Sequence, residues 1–94
     1  MKEGIAKQKV PGGKMLVVRL KYEDKITELQ IIGDFFVFPE DALPKIENVL
    51  IGMPVNDDLD TISGRIRDVI RQNSIELVGI TPDTIAQTIK MVIK

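Results

Sequence analysis

Residues 15–22 read Met15-Leu16-Val17-Val18-Arg19-Leu20-Lys21-Tyr22. Leu16, Val18, Leu20 and Tyr22 recur at every second position, and Arg19 and Lys21 fall between them. A period of two sets these groups on opposite sides of a strand. Glu23-Asp24-Lys25 follows as a polar tight turn. Ile26 to Ile32 then reads as a second strand with Leu29 and Ile31 on one face, so the pair predicts a hairpin. On the N-terminal side the break Pro11-Gly12-Gly13 precedes the strand. Beyond it lies a shorter, mixed extended run from Ile5 to Val10.

Downstream the period changes. Gly33-Asp34 punctuates the chain, and Phe35-Phe36-Val37-Phe38 holds three of its four aromatics. A compact apolar run of this kind predicts core, because large rings supply much buried area. Pro39 to Ala42 reads as an opening turn. Pro44 suits the first turn of a short helix ending near Gly52, with Ile46, Val49 and Leu50 as its buried stripe. After the loop Gly52-Met53-Pro54, Asp57 or Asp58 caps a second helix. Its apolar face is Leu59, Ile62, Ile66, Val69 and Ile70, and it ends around Asn73. Ser74 to Ile80 is a connection with a short extended piece. Thr81 as N-cap, Pro82 at the first position and Asp83 next open a last helix, whose face is Ile85, Ile89, Val92 and Ile93. Strands first and helices second predict an α+β fold. It has a small antiparallel sheet of about three strands, then about three helices packed on one face.

Composition bounds the function. The chain has 94 residues, and one domain spanning 1–94 is the expectation. A chain this short holds one modest core and no large enclosed cavity. The net charge is −1, which argues against a general nucleic-acid binder. The distribution is uneven: residues 1–25 carry seven Lys/Arg against three Asp/Glu, and residues 26–94 carry six against eleven. The basic first third predicts a face for an anionic ligand or an acidic partner. No apolar run is long enough to span a bilayer, and the start of the chain lacks the apolar stretch of a signal peptide. With no Cys as well, the expectation is a soluble cytoplasmic protein.

The same inventory removes most catalytic chemistry. There is no His and no Cys, so the usual general base, thiolate nucleophile and zinc ligands are missing. Ser63 and Ser74 have no imidazole to activate them. Asn56, Asp57, Asp58 and Asp60 lack the glycine and closing glutamate of a calcium loop, and read as helix capping. Gly12-Gly13-Lys14 invites a phosphate-loop reading. That motif needs Gly where Gln8 stands and Ser or Thr where Met15 stands, so it fails twice. A Gly-Gly turn followed by Lys still offers backbone N–H groups and one cation to an anion. No catalytic residue and no metal ligand is expected.

Four ordered motifs resemble the accessory domain of lipoate–protein ligases. They are Lys9-Val10-Pro11-Gly12-Gly13-Lys14; Ile32-Gly33-Asp34-Phe35-Phe36-Val37-Phe38-Pro39-Glu40; Ile46-Glu47-Asn48-Val49-Leu50-Ile51-Gly52; and Gly79-Ile80-Thr81-Pro82-Asp83-Thr84-Ile85. Their order and spacing match across nearly the whole chain. Pro44 departs from the pattern, where a helix former is expected, and implies a late helix start. In many relatives this domain is fused behind a catalytic domain; here it begins at Met1, which resembles the two-subunit archaeal arrangement.

The resemblance implies a non-catalytic accessory subunit of an ATP-dependent ligase. Its partner is the large catalytic subunit, in a heterodimer, and it meets a lipoyl-acceptor protein transiently. ATP, magnesium and lipoate are used through the large subunit, and this chain binds no cofactor alone. The small subunit is needed when lipoate and ATP form lipoyl-adenylate, and less so when the lipoyl group passes to an acceptor Lys. The residues implied in that support are Gly12, Gly13, Lys14, Asp34, Phe35 and Phe36. Lys14 is the candidate cation, Asp34 the anchor of the turn before Phe35, and the phenylalanines are divided between core and partner. Two rival readings remain at this level. One is a stand-alone module for a small anion, supported by the basic first third and the glycine turn. The other is a self-assembling structural protein.

Overall fold

The computed structural model describes residues 1–10, 12 and 14–93. Pro11, Gly13 and Lys94 lie outside the described residues. Three strands, β1 (Lys2–Val10), β2 (Lys14–Tyr22) and β3 (Ile26–Gly33), form an antiparallel sheet in that order. The helices follow: α1 (Leu43–Leu50), α2 (Leu59–Gln72) and α3 (Pro82–Val92), with a 3₁₀ turn at Glu40–Ala42 before α1. The fold is α+β, as the alternation and the helical spacings imply.

Leu16, Val18, Leu20 and Tyr22 are all buried, while Arg19 is exposed and Lys21 half-buried. Across from them stand Ala6 and Val10 of β1 and Ile26, Leu29 and Ile31 of β3, on the same side. The spacing from Ile26 to Leu29 is odd and would break a strict alternation. An irregularity opposite Lys21 and Tyr22 absorbs the extra residue, Thr27, so Ile26 still pairs with Tyr22 and faces inward. The Thr27 hydroxyl donates to Lys21 O at 3.1 Å and fixes the bulge. Strand β1 begins three residues before the expected Ile5. Lys2, Glu3 and Gly4 pair with Tyr22, Lys21 and Leu20, so cross-strand pairing carries a segment whose own pattern is mixed.

Helix α3 lies on β1 and β2 and packs against α2, while α1 lies on β3. Ile46 and Leu50 of α1, Ile62 and Ile66 of α2, and Ile85 and Ile89 of α3 meet in the core. Thr88 is buried in this layer. Its Oγ1 stands 2.7 Å from Gln8 Oε1 and 2.8 Å from Thr84 O, which ties α3 to β1 without an orphaned hydroxyl. Pro44 is the second residue of α1, where its missing N–H costs nothing.

The N-caps follow the sequence. Asp58, not Asp57, caps α2: its Oδ1 accepts from the Thr61 N–H at 2.8 Å. Thr81 caps α3 and accepts from the Thr84 N–H at 3.1 Å. The Thr61 hydroxyl, then its backbone N–H, hold the Asp58 carboxyl below its ordinary value. A depressed carboxyl contributes stability above its unfolded pKa and loses it as pH falls through the lower folded value. Asp58→Ala is therefore expected to lower the melting temperature by a few degrees at pH 7, and the gap to wild type should close in strong acid. Thermal scans from pH 7 to pH 2 check this; a gap that widens toward low pH refutes the cap.

A second, smaller ribbon was not drawn from the sequence. Strands β4 (Phe36–Phe38) and β5 (Glu76–Val78) pair antiparallel, with Phe36 opposite Val78 and Phe38 opposite Glu76. The short extended piece expected between Ser74 and Ile80 is β5. Ser74 has φ +52 in the turn that leads to it. The ribbon inverts part of the core expectation for the aromatic run. Val37 is buried and Phe35 packs against the core, but Phe36 and Phe38 point outward. The pleat explains it: burying Val37 sends both its neighbours to the other side.

Candidate functional site

Strand β3 ends beside the start of β2. Gly33 pairs with Leu16, and the next residue, Asp34, donates its N–H to Met15 O at 3.0 Å. The approach at Gly33 is very close, because a β-carbon there would stand 2.2 Å from Met15 O and 3.1 Å from the Phe35 ring. No side chain fits, which gives the glycine of the Gly33-Asp34-Phe35-Phe36 motif a physical cause. The turn before Phe35 is thus held by the backbone of Asp34, and its carboxylate is left at an exposed position.

Gly79 arrives from the far end of the sequence. Its φ of +96 lies in the left-handed region, and Phe35 Cβ and Asp34 O stand 3.5 and 3.7 Å from the place of its missing side chain. The motif that opens α3 therefore packs on the motif that follows β3. From the other side comes the turn between β1 and β2, where Gly12 also has a positive φ, +94. Lys14 follows it, exposed, opposite Val10.

These elements enclose a shallow, open depression of about 540 Å³, lined by Gly12, Lys14, Gly33, Asp34, Phe35 and Phe36. Five of the six residues singled out by sequence lie together here; Gly13 is outside the described residues. The depression offers one cation, one carboxylate, exposed backbone and an aromatic rim. Its described lining holds no Ser, Thr, Cys or His side chain. Among the described residues no group of three His, Cys, Asp or Glu side chains is placed to hold a metal ion. The arrangement can supply charge, surface and order to a reaction.

A second depression, about 600 Å³, runs along β3 and α1 and involves Arg19, Lys21, Glu28, Gln30, Glu47 and Ile51. Much of its charge is already matched. Lys21 Nζ lies 3.6 Å from Glu3 and 3.3 Å from Glu28, and Glu28 and then Glu3 raise its pKa above the ordinary lysine value. Glu47 Oε2 accepts the Ile31 N–H at 2.8 Å. Sequence reading placed Glu47 in a motif but gave it no role. It satisfies a backbone donor on the outer edge of β3, a role no local pattern encodes.

The sequence divides Phe35, Phe36 and Phe38 between core and partner, and the structure turns Phe36 and Phe38 outward. The two rings are neighbours, with centroids 6.4 Å apart, and both are largely exposed. Of the seven cations in the basic first third, Lys21 is paired, while Lys2, Lys7, Lys9, Lys14, Arg19 and Lys25 form no ion pair among the described residues. No helix among the described residues is long and apolar enough to cross a membrane.

No protein-family model matches the chain. Relatives are nevertheless evident. The chain is 32% identical over 69 residues to lipoate-protein ligase A subunit 2 of Thermoplasma acidophilum, a match covering 73% of this chain and 68% of that protein. In structure it matches a chain of an archaeal lipoylation system, a bi-partite lipoate protein ligase and its E2 lipoyl domain from the same organism. That match has a TM-score of 0.76 and 27% identity over 94% of each chain. The sequence match, the fold match over almost the full length of both chains, and the meeting of three separated motifs at one turn agree: this chain belongs to the lipoate–protein ligase A subunit 2 family.

Proposed function

We propose that this chain is the non-catalytic accessory subunit of a two-part lipoate–protein ligase. In this reading it joins a large catalytic subunit that handles ATP, magnesium and lipoate, and the complex forms lipoyl-adenylate before transfer to a Lys of an acceptor protein. The observation that carries it is the likeness, in sequence and over 94% of the fold, to a component of a bi-partite ligase. The residue inventory supports it too, since a chain without His or Cys suits assistance better than catalysis.

Adenylation joins a carboxylate to the α-phosphorus of ATP and expels pyrophosphate. Both reactants are anions, so positioning and charge stabilisation dominate the barrier. Lys14 brings a cation on a turn whose neighbours are anchored by Gly33 and Asp34 backbone. The rim of Phe35 and Phe36 offers a surface on which a loop of the large subunit can order. Acceptor choice stays with the large subunit.

The test is lipoate-dependent exchange of pyrophosphate into ATP by the purified catalytic subunit, with and without this chain. Exchange is expected only, or far more rapidly, with both. Equal exchange in both arms overturns the activating role. With the complex formed, Lys14→Ala is expected to slow exchange roughly 10- to 100-fold, the loss of one charge-assisted contact. Transfer from preformed lipoyl-adenylate should change much less. Equal loss in both steps would assign Lys14 to assembly instead of adenylation.

A further inference from the structure

The side chains that alternate away from the helices form an open sheet face. Its cross-strand rows are Glu3–Lys21–Glu28, Ile5–Arg19–Gln30, Lys7–Val17–Ile32 and Lys9–Met15. One end is internally paired through Lys21. The other end is cationic and apolar together. Ile5 is 55% exposed and Ile32 49%, unusual values for isoleucines in paired strands.

This surface does not stop at the sheet edge. Ile32 and Phe36 line a common depression beside Glu40 and Leu43. Phe36 leads to Phe38 by stacking and to Val78 by pairing across the β4–β5 ribbon. Of the eight exposed large hydrophobics among the described residues, Ile5, Ile32, Phe36, Phe38 and Val78 belong to this face or the ribbon beside it. Apolar surface concentrated in this way marks an interaction site, whereas scattered residues would not.

We infer that the open sheet face, continued through Ile32 and Phe36 onto the β4–β5 ribbon, is the surface that docks the catalytic subunit. The inference rests on the accessory-subunit reading above. It adds where the partner sits and what the partner must present: an apolar centre with an acidic rim.

Two observations select that occupant. The first is area. Nine-residue strands give a face about 30 Å long, and three strands a width of about 14 Å. With the ribbon and side-chain relief this is on the order of the 800 Å² that each partner gives to a stable complex. The second is charge. The sheet rows carry Lys7, Lys9, Arg19 and Lys21 against Glu3 and Glu28, and the ribbon side adds Glu40 and Glu76; Lys21 is matched by its carboxylates, so the cations that form no ion pair are Lys7, Lys9 and Arg19, grouped on the sheet. A partner that places carboxylates opposite Lys7, Lys9 and Arg19 is complementary to this group, whereas a second copy has to turn its own Glu40 and Glu76 onto it. The geometry is economical for function as well. Phe36 belongs both to this face and to the depression that holds Lys14, so docking here sets the candidate cation at the margin of the interface.

The experiment measures binding of the purified catalytic subunit to wild type, Ile32→Glu, Phe36→Glu and, as a control, Met91→Glu on α3. All three substituted positions are exposed, so melting temperatures should agree and unfolding is excluded directly. Ile32→Glu and Phe36→Glu are expected to weaken binding at least about 30-fold, the size of a central anchor. Met91→Glu should bind as wild type does. If wild type binds and both sheet-face variants bind equally well, the docking surface is elsewhere and this inference fails, while the accessory role stands. If wild type does not bind at micromolar concentration, the accessory reading fails and takes the inference with it. A stable homodimer in sedimentation that Ile32→Glu splits would overturn the choice of occupant.

Discussion

Replacing Ile85 with Ala is expected to remove about 2–5 kcal/mol of folding stability, from lost burial and from the cavity left behind. A chain of this length holds roughly 5–14 kcal/mol in total. At the middle of both ranges the expected loss is about a third of what keeps the chain folded. Position matters as much as size. Ile85 is fully buried on α3, the helix that packs on both β1 and β2 and against α2. The core around it is built mainly from branched aliphatics, whose stiff side chains reach poorly into a gap. A loss of about 3 kcal/mol would lower the melting temperature by about 12–24 °C. Circular dichroism melting checks this, and a shift below 5 °C would mean that α3 does not carry the core in this way.

The second large effect is expected at Gly33, and it arises from crowding where Ile85 fails by emptiness. The added β-carbon of Gly33→Ala would meet Met15 O at 2.2 Å, a contact that only movement of backbone relieves. Met15 O is also the acceptor for the Asp34 N–H, so the strain falls on the hydrogen bond that closes the turn. A cost of about 1–3 kcal/mol or more is expected. Because Lys14 and Asp34 flank the same junction, assembled enzyme with Gly33→Ala should also lose pyrophosphate exchange even below its melting temperature. Gly64 supplies the contrast. It lies inside α2 with nothing within 4 Å of an added β-carbon, and Gly64→Ala should stabilise by roughly 0.5–1 kcal/mol. Denaturant titration of both variants decides; equal behaviour would remove the steric account of Gly33.

The alternation of Leu16, Val18, Leu20 and Tyr22 was enough to define β2, because one buried face imposes a strict period. Thr81-Pro82-Asp83 and Asp58 were legible because capping chemistry is local. What sequence reading lacked was long-range. The pairing of β4 with β5 joins residues about 40 apart, and nothing in Phe36-Val37-Phe38 says which side of the pleat meets the core. Glu47 is equally silent in sequence, since its partner is a backbone N–H on another element. The candidate depression was largely legible for a different reason. Its residues came as motifs, and the fold brings three of those motifs to one turn.

The stopped edge of β3 has a consequence for solubility. Glu47 takes the Ile31 N–H, and the segment after α1 runs alongside, with Ile26 N bonded to Met53 O and Gly52 N to Ile26 O. Lys25 and Pro54 complete the seal, and a proline offers no donor to a newcomer. Growth of a fibre by strand addition requires a bare margin on both flanks of every unit, so that each new copy exposes another. Here one flank is shut, and the margin left, β1, carries Lys2, Lys7 and Lys9. Adhesion between copies through the edges of this three-stranded sheet therefore ends at a pair and cannot propagate.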